Sequence, residues 1–347
     1  MRRGDLTEAE ARALLERVLG RSRAEHCEVT LRATRRGNIR TARNTVSTSG
    51  VNEDHSVSVR AAFGRRAATA TANQLDDATL ERAVRQAEEL ARLAPEDPEW
   101  MPPLGPQRYV AVPAAWSDAT AGLSPAGRAD LTAAGLAVAR ERGCNAASYL
   151  EDNRVVSATL TSTGLFGYHR TTSASYSVTM RTADETGSGY AERDENDVSR
   201  LDAAGAATIA AGKAVASREA RALEPGRYPV ILEPTAAVEL LDLLMFALGA
   251  RSADEGRSPF SRDGGGNRVG ERIVSEQVTL RSDPSNPDVP GPPWASDYRP
   301  QAPRTWIERG TLRGLYGTRY WAQKTGVELP PAPGRYIMEG GSGSLAD

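Results

Sequence analysis

His55-Ser56-Val57-Ser58-Val59-Arg60-Ala61-Ala62-Phe63 alternates polar and apolar side chains up to Gly64. Val57, Val59 and Ala61 share one face, because successive side chains of an extended chain point to opposite sides. Residues 27–31, 39–46 and 67–72 read the same way, so the four segments predict an antiparallel meander. Helices flank it. Upstream, residues 6–19 open with Thr7 as N-cap and Glu10 three residues later, a capping box; Ala11, Leu14, Leu15 and Val18 form one face and Gly20 stops the run. Downstream, Leu80, Ala83, Val84, Ala87 and Leu90 mark an amphipathic helix.

Beyond a Pro-rich stretch, residues 94–106, the pattern recurs. Ser124 as N-cap, Pro125 at the first helical position and Gly143 past the end delimit a helix carrying Leu131, Ala134 and Val138. Alternation then resumes at Val156, Ala158 and Leu160 and again at Tyr176, Val178 and Met180, before an Ala-rich helix over 198–222. After Pro225-Gly226 come a short strand, 228–232, and a helix, 235–248, with Leu240, Leu241, Leu244, Met245 and Leu248 on one side. The expected class is α+β. Two helix–antiparallel-meander–helix units, 1–95 and 113–224, are joined by a linker, 96–112, and followed by a β-rich C-terminal unit, 225–347.

Composition narrows the function. Two cysteines, Cys27 and Cys144, do not make a disulfide framework, and a net charge of −2 supplies no field for a polyanion, so nucleic acid is not an expected partner. No apolar run is long enough to span a bilayer, and Met1-Arg2-Arg3-Gly4-Asp5 does not open a signal peptide; the cytoplasm is the expected compartment. The three histidines, His26, His55 and His169, stand far apart in sequence and read as surface or packing residues. No Gly-x-Ser-x-Gly elbow occurs, and Gly264-Gly265-Gly266 is not followed by Lys-Ser/Thr. Arg32, Arg35, Arg36, Arg40 and Arg43 read as a solvated hairpin face. No catalytic residue is assigned within the chain.

Five stretches in collinear order carry a family resemblance: Asn44-Thr45-Val46-Ser47-Thr48-Ser49-Gly50, Asp184-Glu185-Thr186-Gly187-Ser188-Gly189-Tyr190, Gly226-Arg227-Tyr228-Pro229-Val230-Ile231-Leu232-Glu233-Pro234, Gly270-Glu271-Arg272-Ile273-Val274-Ser275, and Arg304-Thr305-Trp306-Ile307-Glu308-Arg309-Gly310-Thr311-Leu312-Arg313-Gly314. They resemble the TldD/PmbA family, once described as modulators of DNA gyrase. The resemblance implies a cytoplasmic zinc metallopeptidase in which a TldD-type and a TldE/PmbA-type subunit pair to cleave extended peptides. In the active subunit, the helix after the Pro-Val-Ile-Leu-x-Pro strand carries His-Glu-x-x-x-His. Here the matching positions are Asp242, Leu243, Leu244, Met245, Phe246 and Ala247. Leucine and alanine can neither ligate zinc nor deprotonate its water. The chain therefore resembles the PmbA/TldE-type subunit, with no metal or cofactor of its own and zinc expected in a TldD-type partner; a homodimer is the alternative pairing.

Relatives continue past the segment matching 336–345, so the resemblance implies a chain shortened at its C-terminus; in the active subunit that further region also supplies a cysteine ligand. By the same resemblance, loop 290–303 borders the substrate cleft, with Trp294 and Tyr298 as possible peptide contacts; a mobile surface excursion is the alternative. Leu315, Tyr316, Tyr320 and Trp321, and loop 251–260, are candidate partner surfaces, against core packing of a short helix. Two other functions stay open: a metallopeptidase using Asp242, Glu239, Asp254 or Glu255 as ligands, and a regulatory, gyrase-modulator-like binding protein.

Overall fold

The computed structural model describes residues 6–343. Met1–Asp5 and the last residues of the 336–345 segment lie outside the described residues. In chain order the elements are α1 (Glu8–Leu19), β1 (His26–Ala42), β2 (Thr45–Phe63), β3 (Arg66–Ala72), α2 (Asp77–Leu93), α3 (Asp118–Ala121), α4 (Pro125–Glu141), β4 (Cys144–Thr161), β5 (Phe166–Thr182), β6 (Ser188–Glu195) and α5 (Ala203–Ala216). The remainder holds α6 (Pro234–Ala247), α7 (Ala250–Asp254), β7 (Leu280–Ser282), β8 (Arg304–Glu308), β9 (Thr311–Leu312), α8 (Arg319–Thr325) and β10 (Ile337–Met338). This is an α+β fold built on antiparallel sheets.

The two meanders form one six-stranded sheet in the order β3-β2-β1-β4-β5-β6. β1 joins them, pairing Val29 with Val59 on one side and with Leu160 on the other. Helices cover a single face. α1 and α2 bury Leu14, Leu15, Leu80 and Val84 against Val29, Leu31, Val57 and Val59. α4 and α5 close a second core over Leu150, Tyr176, Val178 and Met180, to which β1 contributes Ile39. Each fully buried Val or Leu side chain contributes roughly 1.5–3 kcal/mol by leaving water, so the covered face holds the sheet together.

The capping box of α1 forms as expected, Thr7 Oγ1 accepting from the Glu10 amide and Glu10 from the Thr7 amide at 2.9 Å. Several limits differ. The segments 27–31 and 39–46 are not separate strands: β1 runs unbroken to Ala42, and the chain turns at Arg43-Asn44, both at positive φ (50° and 60°). Residues 45–54 of β2 are fully solvated, so the pairing continues where the apolar alternation has vanished. Leu90 and Ala134 point to solvent rather than to the core; α4 instead turns Arg128, Thr132, Gly135, Leu136 and Ala139 inward. The helix expected over 198–222 shrinks to α5, because Asp202 caps it at the Gly205 amide (2.7 Å). The strand expected at 228–232 is absent; that stretch has no regular secondary structure and is exposed.

The third unit packs Met245, Leu248, Phe260, Leu280, Trp306, Ile307 and Trp321 into a small core. Its sheet, ordered β10-β7-β8-β9, has strands of only 2–5 residues, and long loops carry much of the unit. On α6, Leu241 and Leu244 are partly buried as expected, but Leu240 (56% exposed), Leu243 (66%) and Phe246 (82%) face outward.

Candidate functional site

The α6 positions that match the family's zinc motif offer little to a metal. Asp242 is exposed and its carboxylate accepts from Tyr336 Oη; Leu243 and Phe246 face solvent, Met245 sits in the core, and Ala247 is half-buried. Asp254 accepts from Asn267 Nδ2 at 2.8 Å and Trp321 Nε1 at 2.9 Å, and Glu255 pairs with Arg251 and Arg257. Glu239 is exposed on α6. Zinc requires several nitrogen, sulfur or carboxylate donors converging on one point. Among the described residues no three His, Cys, Asp or Glu side chains do so. The residues of this helix do not fit the zinc site that the family implies.

A better-furnished site lies elsewhere. A cleft of about 510 Å³ opens where the free face of the sheet, the linker and the third unit meet. β1 and β2 send Glu28 and Arg60 into it from facing positions, on the side opposite Val29 and Val59. The linker contributes Trp100, whose ring lies 5.3 Å from that of His26, and Glu99, which binds Arg251 at 2.8 Å. From the third unit come Tyr298, Tyr316, Tyr320 and Arg319. Burial pushes the Glu28 carboxyl up, opposed by the Arg60 charge, a hydrogen bond from Tyr298 and the Arg319 charge. Burial also pulls Arg319 down and, with Glu28 nearby, raises the Tyr298 phenol to about 12. A larger groove, about 920 Å³, follows α1 and residues 73–76, with fewer convergent charges.

Loop 290–303 is docked rather than free. Trp294 rests over Gly167, where a Cβ would come within 3.2 Å of its ring, and packs 4.9 Å from Tyr109 and edge-on 6.0 Å from His169. Tyr109 Oη donates to the Tyr298 carbonyl at 2.8 Å, and Tyr298 itself adopts φ 62°, which is uncommon outside glycine. Of the five aromatic residues singled out from sequence, Tyr298, Tyr316 and Tyr320 line the cleft, and Trp294 lines an adjoining groove of about 450 Å³. Trp321 does not: it is buried in the third core with its indole N–H given to Asp254, the core packing of a short helix. Sequence reading missed Glu28, Arg60, Trp100 and Arg319. The alternation of β1 and β2 placed Glu28 and Arg60 off the core face, but only the strand register brings them opposite each other.

His169 gives the docked loop a pH dependence. Burial lowers its pKa to about 4. A histidine depressed below its unfolded value, roughly 6.5, takes up its proton more readily when unfolded, so stability is complete above that value and declines as pH falls from 6.5 toward 4. Because the ring keeps some exposure, about 1–2 kcal/mol is expected at stake. Urea unfolding of the wild type and of His169→Phe should diverge across that window and run parallel above pH 7.

The comparisons bear on the same elements. The model of the PmbA/TldA metallopeptidase C-terminal domain matches residues 225–343, and that of PmbA/TldA metallopeptidase domain 1 matches residues 27–91. Among solved structures, TldE from Thermococcus kodakarensis matches with TM-score 0.81 and 19% identity over 96% of this chain and 78% of that one. A candidate modulator of a DNA gyrase from Thermotoga maritima matches with TM-score 0.82 and 17% identity over 98% and 79%. A candidate modulator of DNA gyrase from Bacteroides thetaiotaomicron gives 0.81 and 19% over 97% and 78%. No curated protein matches.

Proposed function

We propose, from the premise that the chain belongs to the PmbA/TldD metallopeptidase family, that it is a non-catalytic subunit of a TldD/TldE-type zinc peptidase. The observation that carries this reading is α6, which stands in the family's motif position and presents Asp242 and Ala247 where imidazoles are required and Leu243 where the general-base carboxylate is required. A chain of this fold without ligands or general base serves proteolysis by contact. Two features support such contact. Leu240, Leu243 and Phe246, with Val230 and Ile231, expose apolar side chains of the kind that mark protein interfaces. The cleft beside Tyr298, Tyr316 and Tyr320 lies between the linker and the third unit and, at about 510 Å³, has the volume of a ligand-binding pocket.

In this reading units 1–95, 113–224 and 225–347 act together, the partner holds the zinc, and the assembly works in the cytoplasm. Among the described residues no helix is long and apolar enough to cross a membrane. A regulatory role is the second reading, favoured by the two matched structures described as candidate modulators of DNA gyrase. Metal analysis of the purified, desalted chain is expected to find far less than one zinc per chain. Near-equimolar zinc that disappears in Asp242→Ala would contradict the proposal.

A further inference from the structure

We propose that the cleft between the sheet and the third unit is a receptor for the carboxylate of a peptide, held by Arg319 and Arg60. Two of the four acids in the cleft are already ion-paired. Glu99 is bound to Arg251 and Asp297 to Arg299, at 2.8 and 2.7 Å. Asp97 accepts from the Glu99 amide at 2.8 Å, which satisfies one carboxylate oxygen without cancelling its charge. Glu28 is, with Asp97, the other acid of the cleft without a cation at ion-pair distance among the described residues. It faces Arg60 across the ladder and takes a hydrogen bond from Tyr298, without closing an ion pair with either guanidinium among the described residues.

Arg319 and Arg60 are the two arginines of the cleft that make no ion pair among the described residues. Arg319 is half-buried, its Nη1 donates to the Pro102 carbonyl at 2.8 Å, and among the described residues no carboxylate lies within ion-pair distance of it. A guanidinium taken partly out of water without a counter-ion is costly, and its remaining N–H groups match a carboxylate in a planar fork. Arg60 stands on the opposite wall with its guanidinium equally uncommitted. Trp100 and Tyr320 supply apolar walls beside them. The four arginines of the cleft (Arg60, Arg251, Arg299 and Arg319) balance its four acids (Glu28, Asp97, Glu99 and Asp297), so the attraction for an anionic group comes from the open N–H groups of Arg319 and Arg60 rather than from net charge.

The proposal rests on the subunit reading only for the choice of a peptide as the carrier of that group; the anion site stands on the cleft alone. Calorimetric titration of the intact chain with N-acetyl-tetra-alanine as free acid, as its C-terminal amide, and as an amidated analogue containing one glutamate tests it. The free acid is expected to bind at least about tenfold more tightly than the amide. Recovery of binding by the glutamate-containing amide would assign the carboxylate to a side chain, and no recovery would assign it to the chain end; either result supports the site. Arg319→Gln should abolish the preference. Arg60→Gln, which removes an exposed side chain without a hydrogen bond and so leaves the fold intact, should reduce it severalfold. Equal binding of acid and amide, no binding of either, or a preference that survives both substitutions would overturn the proposal. None of those results would bear on whether a partner subunit supplies zinc.

Discussion

Asp152→Ala is expected to lower the stability of the folded chain by about 3–5 kcal/mol, the usual cost of stranding one member of a buried ion pair. Arg128 Nη1 and Asp152 Oδ1 are 2.7 Å apart, with side chains only 1% and 3% exposed, beneath α4 and against β4. The guanidinium lies on bare backbone at Gly37, where a Cβ would come within 2.2 Å of Nη1. Its Nε and Nη2 find no protein acceptor, so Asp152 is the charge that compensates it. Burial pushes the Asp152 carboxyl up while Arg128 opposes the shift. Because arginine stays protonated, removing the acid leaves a buried cation. The double variant Arg128→Met/Asp152→Leu should recover most of the loss, since apolar replacements of such pairs are often neutral. Urea midpoints of the three proteins decide it; a single-variant loss under about 1 kcal/mol would show that the pair is solvated.

Gly189→Ala is expected to cost about 3 kcal/mol or more, at the upper end for overpacking, because backbone rather than a flexible side chain stands in the way. The new Cβ would lie 2.1 Å from the Ala210 carbonyl oxygen and 2.6 Å from the Ala214 nitrogen. The reason is the seating of α5, whose Ala203, Ala206, Ala207, Ala210, Ala211 and Ala214 are all buried and let the helix settle directly on β6. Gly212→Ala, two residues from Ala214 on the same helix, is the internal control. A Cβ there meets nothing within 4 Å, so the change should be stabilising by up to about 1 kcal/mol through helix propensity. Opposite signs in thermal melts are the expected result. A Gly189→Ala variant as stable as wild type would contradict this account of the α5 contact.

These two sites also show what the sequence could disclose. The apolar periods of α1, α2 and the core-facing parts of β1, β2, β4 and β5 are written in residues that touch the core, and they were readable. Residues 45–54 of β2 touch no core; backbone pairing, with polar contacts such as Ser47 to the Arg40 carbonyl and Glu53 to Arg35, holds them in the sheet, and no apolar pattern announces it. Arg128 points inward in a helix whose legible face was Leu131, Ala134 and Val138; its burial depends on Asp152, 24 residues away on another element. That Asp242, Leu243 and Ala247 stand at the family's motif positions is what the resemblance implies, and it is read from residue identities alone. The cleft could not be read that way. Glu28, Arg60, Trp100 and Arg319 lie up to 291 residues apart in the chain, and only the β1–β2 register, the packing of Trp100 on His26 and the hydrogen bond from Arg319 to the Pro102 carbonyl bring them together.

The subunit proposal is tested most directly by mixing this chain with a homologue that carries His-Glu-x-x-x-His, then measuring mass by light scattering and cleavage of a peptide. The account predicts a one-to-one complex and peptidase activity that neither chain shows alone, with the zinc accounted for by the homologue. A homologue that cleaves equally well by itself and never co-elutes with this chain would contradict it and leave the regulatory reading.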